Sequence, residues 1–159
     1  MVAKEWEETY ASGRHINSWP WSDLVSLYFR YLEHLGLREL GPKVLELGPG
    51  TGNNFPFWRA LRADYFGIEL SPSAVDICIK RYPELEGRLQ NGDFSLLESH
   101  SRDFDVICDR ASVTHCSSIE VQNVITKSFN SLKQGGLYMG IDWFSKNHSD
   151  FNLSGTVVD

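Results

Sequence analysis

The segment Lys43-Val-Leu-Glu-Leu-Gly-Pro-Gly-Thr-Gly52 constrains the fold of this chain more than any other. A short apolar run enters three glycines at alternate positions, Gly48, Gly50 and Gly52. This reads as a buried strand whose carboxyl end turns sharply, because a residue without Cβ can take φ > 0 and lets a ligand approach the main chain. Glu69 follows Gly48 by 21 residues and closes a second strand-like run, Tyr65-Phe-Gly-Ile-Glu. An acidic acceptor about 20 residues after such a turn suits a ribose diol. Two strand ends thus point at one crevice fit for a nucleotide-like cofactor.

The rest of the chain alternates around that pair. Residues 4–21 are polar with interspersed rings, Trp6, Tyr10, Trp19 and Trp21, which must dock because four exposed rings would make an adhesive patch. They form either a packed N-terminal arm or a lid over the crevice. Apolar residues at helical spacing predict a helix from Ser22, its N-cap, to Leu35, stopped by Gly36. Strands are expected at 43–47, 65–70, 88–91, 104–108 and 137–143. Between them, a helix starts at Asn53 or Asn54 with Pro56 in its first turn, and a second runs from the Ser71-Pro72 cap to Arg81. A third helix, opened by the Ser117/Glu120 capping box, runs to Leu132 with Val121, Val124, Ile125, Phe129 and Leu132 facing inward, and Gln134-Gly135-Gly136 ends it. Asp109–Cys116 is expected to be a loop. Strands separated by helices give an α/β, doubly wound parallel sheet with ligands at its carboxyl ends. The arm and first helix take residues 1–36, the core 37–143 and a short polar tail 144–159, all in one domain.

A chain of 159 residues can bury a core without disulfides or metals. The net charge of −6 argues against a nucleic-acid partner, since phosphate backbones are held mainly by Lys and Arg. Cys78, Cys108 and Cys116 lack C-x-x-C spacing, so no metal site is expected and the cytoplasm is the default location. No uninterrupted apolar run approaches the roughly 18 residues of a membrane span.

The spacing G-x-G-x-G differs from the dehydrogenase G-x-G-x-x-G, and no Gly-Lys-Ser/Thr follows as in a P-loop. A cofactor without phosphates fits better. The ordered set 44–52, Gly67-Ile-Glu-Leu70, Asn91-Gly-Asp-Phe94, Phe104-Asp-Val-Ile-Cys-Asp109 and Leu132-Lys-Gln-Gly-Gly-Leu-Tyr138 resembles the motifs of class I S-adenosylmethionine-dependent methyltransferases. That resemblance implies a Rossmann-like sheet of strand order 3-2-1-4-5 and S-adenosyl-L-methionine as cofactor. It places Gly48, Pro49, Gly50 and Gly52 beneath the methionine part, with Glu46 holding the turn and the amino group. Glu69 and Leu70 fall at the ribose, Asp93 and Phe94 at the adenine, and Asp109 at the donor end. Asp93 after Asn91-Gly92 also reads as a turn former.

By the same resemblance the segment after strand four faces the transferred methyl. Asp109 or His115 could take a proton there, and Arg110 could hold an acceptor anion or pair with Asp109 or Glu46. The segment lacks the Asn/Asp-Pro-Pro-aromatic motif of enzymes acting on base or amide nitrogens, and the Pro-Cys nucleophile of cytosine C5 enzymes. With the acidic charge, this favours a small-molecule or sugar-like acceptor. The resemblance further implies a helix and two more strands after strand five, for which the 16 residues after Trp143 are too few. The expectations are a sheet without its C-terminal hairpin, an open strand-five edge available for dimerisation, and, as the alternative function, a truncated or inactive cofactor-binding module. A nicotinamide-dependent dehydrogenase is a third reading.

Overall fold

The computed structural model describes residues 2–35, 41–96 and 103–143. In chain order the elements are α1 (Val2–Ala11), α2 (Ser22–Leu35), β1 (Lys43–Leu47), α3 (Phe55–Ala60), β2 (Asp64–Glu69), α4 (Pro72–Arg81), β3 (Leu89–Asn91), β4 (Phe104–Arg110), α5 (Ser118–Ser131) and β5 (Leu132–Ile141). The five strands form one parallel sheet of order β3-β2-β1-β4-β5. The chain starts in the middle, adds β2 and β3 on one side and returns to add β4 and β5 on the other. The strand order reverses between β1 and β4, and a doubly wound sheet opens its crevice at that point.

Alternation along β1 decides what each face buries. Val44 packs with Leu24, Tyr28, Trp58, Tyr65 and Val106 on the side of α2, α3 and α4. Leu45 and Leu47 pack with Ile68, Ile107, Val113 and Val124 on the α5 side. Both clusters contain residues that are wholly buried, so the sheet is covered on both faces as a parallel sheet must be.

Helix starts largely follow the sequence signals. Ser71 accepts from the Ala74 N–H and caps α4 with Pro72 behind it. Ser117 and Glu120 close a reciprocal capping box at α5. Elsewhere the structure departs from expectation. Helix α2 contains Ser22 as its first residue, and the Val25 N–H bonds to the Trp21 carbonyl, which moves the cap one residue earlier. Asn54 stands at the cap of α3 but makes no capping bond, its side chain being committed elsewhere.

Strand β4 runs on to Arg110, so Asp109 and Arg110 are strand residues and not loop residues. The chain leaves β4 through Ala111 in the left-handed region at φ 56°, with the Ala111 N–H still held by the Ile141 carbonyl. Strand β5 starts directly at Leu132, pairs it with Phe104, and resumes pairing at Leu137 opposite Val106. Gln134-Gly135-Gly136 therefore lies in a bulge and does not end the helix, which already stops at Ser131. Trp143 falls just beyond the strand.

Of the residues expected to face inward from α5, Val124 and Leu132 are buried and Val121 packs against them, joined by buried Ser128 and Ser131, while Phe129 is 64% exposed and Ile125 36%. Two serines on the buried face let the helix lie close to the sheet, which rotates the larger residues outward. Gly36 and the tail 144–159 lie outside the described residues.

Candidate functional site

A cavity of about 360 Å³ opens at the carboxyl ends of β1, β2 and β4, within the size range of cofactor pockets. Its floor is the turn after β1. Gly48 adopts φ 68° and donates its N–H to the Ile68 carbonyl at 2.9 Å. A Cβ there would fall 2.5 Å from the Ser112 Cβ, because Ser112 closes onto the turn by donating to the Leu47 carbonyl at 2.6 Å. Gly50, at φ 56°, donates its N–H to Glu69 Oε2 at 2.8 Å. Gly52 is different: it is not in the cavity wall, and a Cβ there would meet the Cys78 Sγ at 2.6 Å. It serves the close packing of the turn against α4.

Glu69 ends β2 and is 6% exposed. Its other oxygen accepts the Ser71 N–H at 2.9 Å. Burial raises its pKa while the backbone donors pull the other way. A carboxylate has about four lone-pair sites, more than these backbone donors use, so Glu69 keeps acceptor capacity at the cavity it lines. Pro49, Leu70, Asp93 and Phe94 complete this side of the wall. Asp93 does form a turn, accepting the Ser95 N–H at 2.8 Å, and it lines the cavity as well.

Glu46 is 2% exposed and bonded by Asn54 Nδ2 at 2.7 Å and the Tyr65 hydroxyl at 3.0 Å. Of the two ways to keep a carboxyl inside an apolar strand, hydrogen bonds or a cation, the fold uses the first. Burial pushes its pKa up to about 7 against those bonds. The remaining Asn54 oxygen accepts the Trp21 N–H at 3.1 Å, which ties the N-terminal segment to β1.

The three residues expected to carry chemistry separate. Asp109 is wholly buried, outside the cavity wall, and accepts from the Tyr138 hydroxyl at 2.8 Å, the Trp143 Nε1 at 3.1 Å and the Val113 N–H at 3.2 Å. It stitches β4 to β5, and burial raises its pKa against these donors. Arg110 lines the cavity but pairs with neither Asp109 nor Glu46. It is paired to Asp142, lies 3.7 Å from Asp23 and sits 3.7 Å above the Trp21 ring. His115 lines the cavity in a short turn, its ring 5.6 Å from that of Trp6.

The N-terminal arm, expected as either a packed segment or a lid over the crevice, contributes lining residues to the cavity. Trp6, Tyr10, His15 and Trp21 roof the cavity, and Trp6 stacks on Tyr10 at 5.7 Å and meets His15 edge-on at 5.4 Å. Their ring-rich composition signalled docking and left the two readings open. Trp19, in the same segment, is 76% exposed. Ser112 lies in the segment after strand four that the resemblance sets at the donor end, but it was not singled out there.

The wall fits an adenosine-type cofactor without phosphates. Glu69 and Asp93 are acceptors for hydroxyl and amine donors, the glycine backbone leaves a shallow floor, and rings cover it. Arg110, already paired, is the sole Lys or Arg among the described lining residues, so a pyrophosphate would find no free cation. Among the described residues no cluster of His, Cys, Asp and Glu could hold a metal ion, and no helix is long and apolar enough to cross a membrane.

Comparison with known proteins agrees with this geometry. The sequence model of a family described as methyltransferase domain matches residues 44–136. Sterol 24-C-methyltransferase of Pneumocystis carinii is 26% identical over 154 residues, which are 92% of this chain and 40% of that protein. The chain therefore spans well under half the length of that relative. Among solved structures, Streptomyces venezuelae DesVI superposes with a TM-score of 0.62 at 22% identity, covering 81% of this chain and 52% of that one. Phosphoethanolamine N-methyltransferase 2 of Haemonchus contortus, in complex with S-adenosyl-L-methionine, superposes with a TM-score of 0.58 at 19% identity, covering 72% of this chain and 27% of that one. At these identities the structural likeness is one of fold.

Proposed function

The chain belongs to the methyltransferase domain family, and from that membership we propose that it is a class I S-adenosylmethionine-dependent methyltransferase acting on a small-molecule or sugar-like acceptor. The observation that carries the reading is Glu69, buried beside the glycine turn with both oxygens oriented by backbone N–H groups. When bound, the cofactor supplies a methyl group on a cationic sulfur, open to in-line displacement.

The chain's own part is to hold and align. Glu69 accepts from the ribose hydroxyls, Asp93 and Phe94 bracket the adenine, Leu70 and Pro49 wall the nucleoside, and Gly48 and Gly50 leave room for the methionine part. Glu46 acts through Asn54, shaping the segment after the turn. His115 is a cavity-lining group able to accept a proton from an acceptor that arrives protonated. Arg110, already paired and stacked on Trp21, frames the acceptor space and does not serve as an anion clamp. An acceptor without a net negative charge is favoured, and with it neither nucleic acid nor a membrane partner. Among the described residues no strand lies beyond β5, and that edge offers a face for a dimer.

A second reading is a module that binds the cofactor without independent turnover. It is favoured by the commitment of Asp109 and Arg110 to neighbours. Calorimetric titration with S-adenosylmethionine, S-adenosylhomocysteine and NAD, repeated with Glu69→Ala, tests the cofactor half. Saturable binding of the adenosyl compounds, weakened at least about tenfold by the substitution, is expected. Tighter binding of NAD, or no binding by folded protein, overturns the reading. Methyl transfer in an acceptor screen then separates enzyme from module.

A further inference from the structure

Helix α1 is held against the core from several directions. The Glu7 carboxylate accepts from the Ser71 and Ser73 hydroxyls and from the Ser73 N–H at 3.2 Å, all at the amino end of α4. These donors keep its pKa below the ordinary carboxylate value. Arg81, at the other end of α4, donates to the Asn17 carbonyl at 2.6 Å and to the Thr51 carbonyl at 3.2 Å, joining the loop after α1 to the glycine turn.

One turn of helix beyond Glu7 stands Tyr10, 9% exposed. Its hydroxyl lies 2.7 Å from where a Gly50 Cβ would be, in the cavity wall. That hydroxyl makes no hydrogen bond to any described group and is open to the cavity that Tyr10 lines, where an incoming acceptor can reach it. The neighbouring carboxylate of Glu69 already holds the Gly50 and Ser71 N–H groups. A hydroxyl brought to the bare backbone of the turn and left without a partner is a donor awaiting a ligand.

We infer that Tyr10 is a further cofactor-binding residue, donating its hydroxyl to the polar amino-acid end of the ligand above Gly50, and that Glu7 is the positioning residue whose clasp on Ser71 and Ser73 seats it there. The inference rests on the adenosyl-cofactor reading. Closure of the arm and binding of the cofactor then become one coupled equilibrium, because only the clasped arm presents the hydroxyl. The apparent affinity falls in proportion to the clasped fraction.

The test uses S-adenosylhomocysteine titration together with tryptic cleavage at Arg14, an exposed site in the arm. Tyr10→Phe weakens binding about fivefold to tenfold and leaves cleavage of the ligand-free chain unchanged. Glu7→Gln weakens binding about tenfold and speeds cleavage at Arg14, which saturating ligand slows again. Ser73→Ala resembles Glu7→Gln, and the double variant is no worse than Glu7→Gln alone, a non-additivity that a general loss of stability would not produce. Normal wild-type binding, with both Tyr10→Phe and Glu7→Gln within twofold of it, overturns the inference and leaves the cofactor reading standing. So does cleavage at Arg14 that is indifferent to ligand. Absence of saturable binding in folded wild-type protein overturns the cofactor reading, and the role of Tyr10 with it.

Discussion

Gly50 and Gly52 share a backbone problem and differ in what surrounds them, so alanine at each separates the site from the scaffold. Both sit in the left-handed region, at φ 56° and φ 80°. Placing an L-residue there costs about 1–2 kcal/mol. At Gly52 the new Cβ would also fall 2.6 Å from the Cys78 Sγ and 3.2 Å from the Tyr82 ring, both packed in the core. Overpacking of that kind adds about 1–3 kcal/mol, for about 2–5 kcal/mol in all. At Gly50 the nearest atom is the Tyr10 hydroxyl, the far end of a side chain on the arm, which can swing away. For a domain of this length each kcal/mol moves the melting temperature by about 2–4 °C. Thermal unfolding followed by circular dichroism should therefore show losses of about 2–8 °C for Gly50→Ala and about 4–20 °C for Gly52→Ala. S-adenosylhomocysteine titration at a temperature where both are folded should show the opposite order, with Gly50→Ala the weaker binder by roughly tenfold or more. Equal thermal losses, or weaker binding by Gly52→Ala than by Gly50→Ala, would refute the assignment of one glycine to the ligand and the other to α4.

Two carboxyl groups give further outcomes. Glu46, raised to about 7 by burial, keeps its proton in the folded chain over a range where the unfolded chain has released it. The unfolded state then binds fewer protons, so stability falls as pH rises from about 4.5 to about 7, by up to about 3 kcal/mol. Glu46→Gln should flatten that part of a urea-unfolding profile measured against pH; a slope as steep as wild type would assign the dependence to another group. Asp109→Ala strands the Tyr138 hydroxyl, the Trp143 N–H and the Val113 N–H, and should cost about 2–5 kcal/mol in denaturant unfolding, with Asn at the same position costing less. Wild-type stability with lost methyl transfer would instead place Asp109 in the chemistry.

How much of this was readable in the chain follows from how far apart the interacting residues lie. The glycine turn, the Ser71-Pro72 cap and the capping box at Ser117 each rest on residues within a few positions, and each forms where the pattern predicts. The strand order came only as what the family resemblance of the ordered motifs implies, and the sheet has that order. Asp109 was misplaced because its partners, Tyr138 and Trp143, lie 29 and 34 positions away and convert an apparent loop acid into a buried tie between strands. For the same reason the ion-pair alternative for Arg110 named Asp109 or Glu46, whereas Asp23 and Asp142 reach it from α2 and from beyond β5. The inward face of α5 was read correctly at Val121, Val124 and Leu132 and misread at Ile125 and Phe129, because hydrophobicity alone selected them, whereas close approach to the sheet selects the small Ser128 and Ser131.

The same reasoning explains why the arm was left open between a packed segment and a lid although its rings were conspicuous. A helix with mixed charge and aromatic residues can dock in many ways, and what chooses one is a small set of polar bonds with distant partners. Glu7 meets Ser73 across 66 positions, Asn17 meets Arg81 across 64, and Trp21 meets Asn54 across 33. Asn54 joins two of these worlds: its oxygen takes the Trp21 N–H while its nitrogen donates to Glu46 on the central strand. Asn54 therefore lacks a capping bond at α3 because its side chain bridges the arm to the sheet. A local rule is broken at the point where a long-range contact builds the cavity, and that pattern marks a site more reliably than the rings that line it.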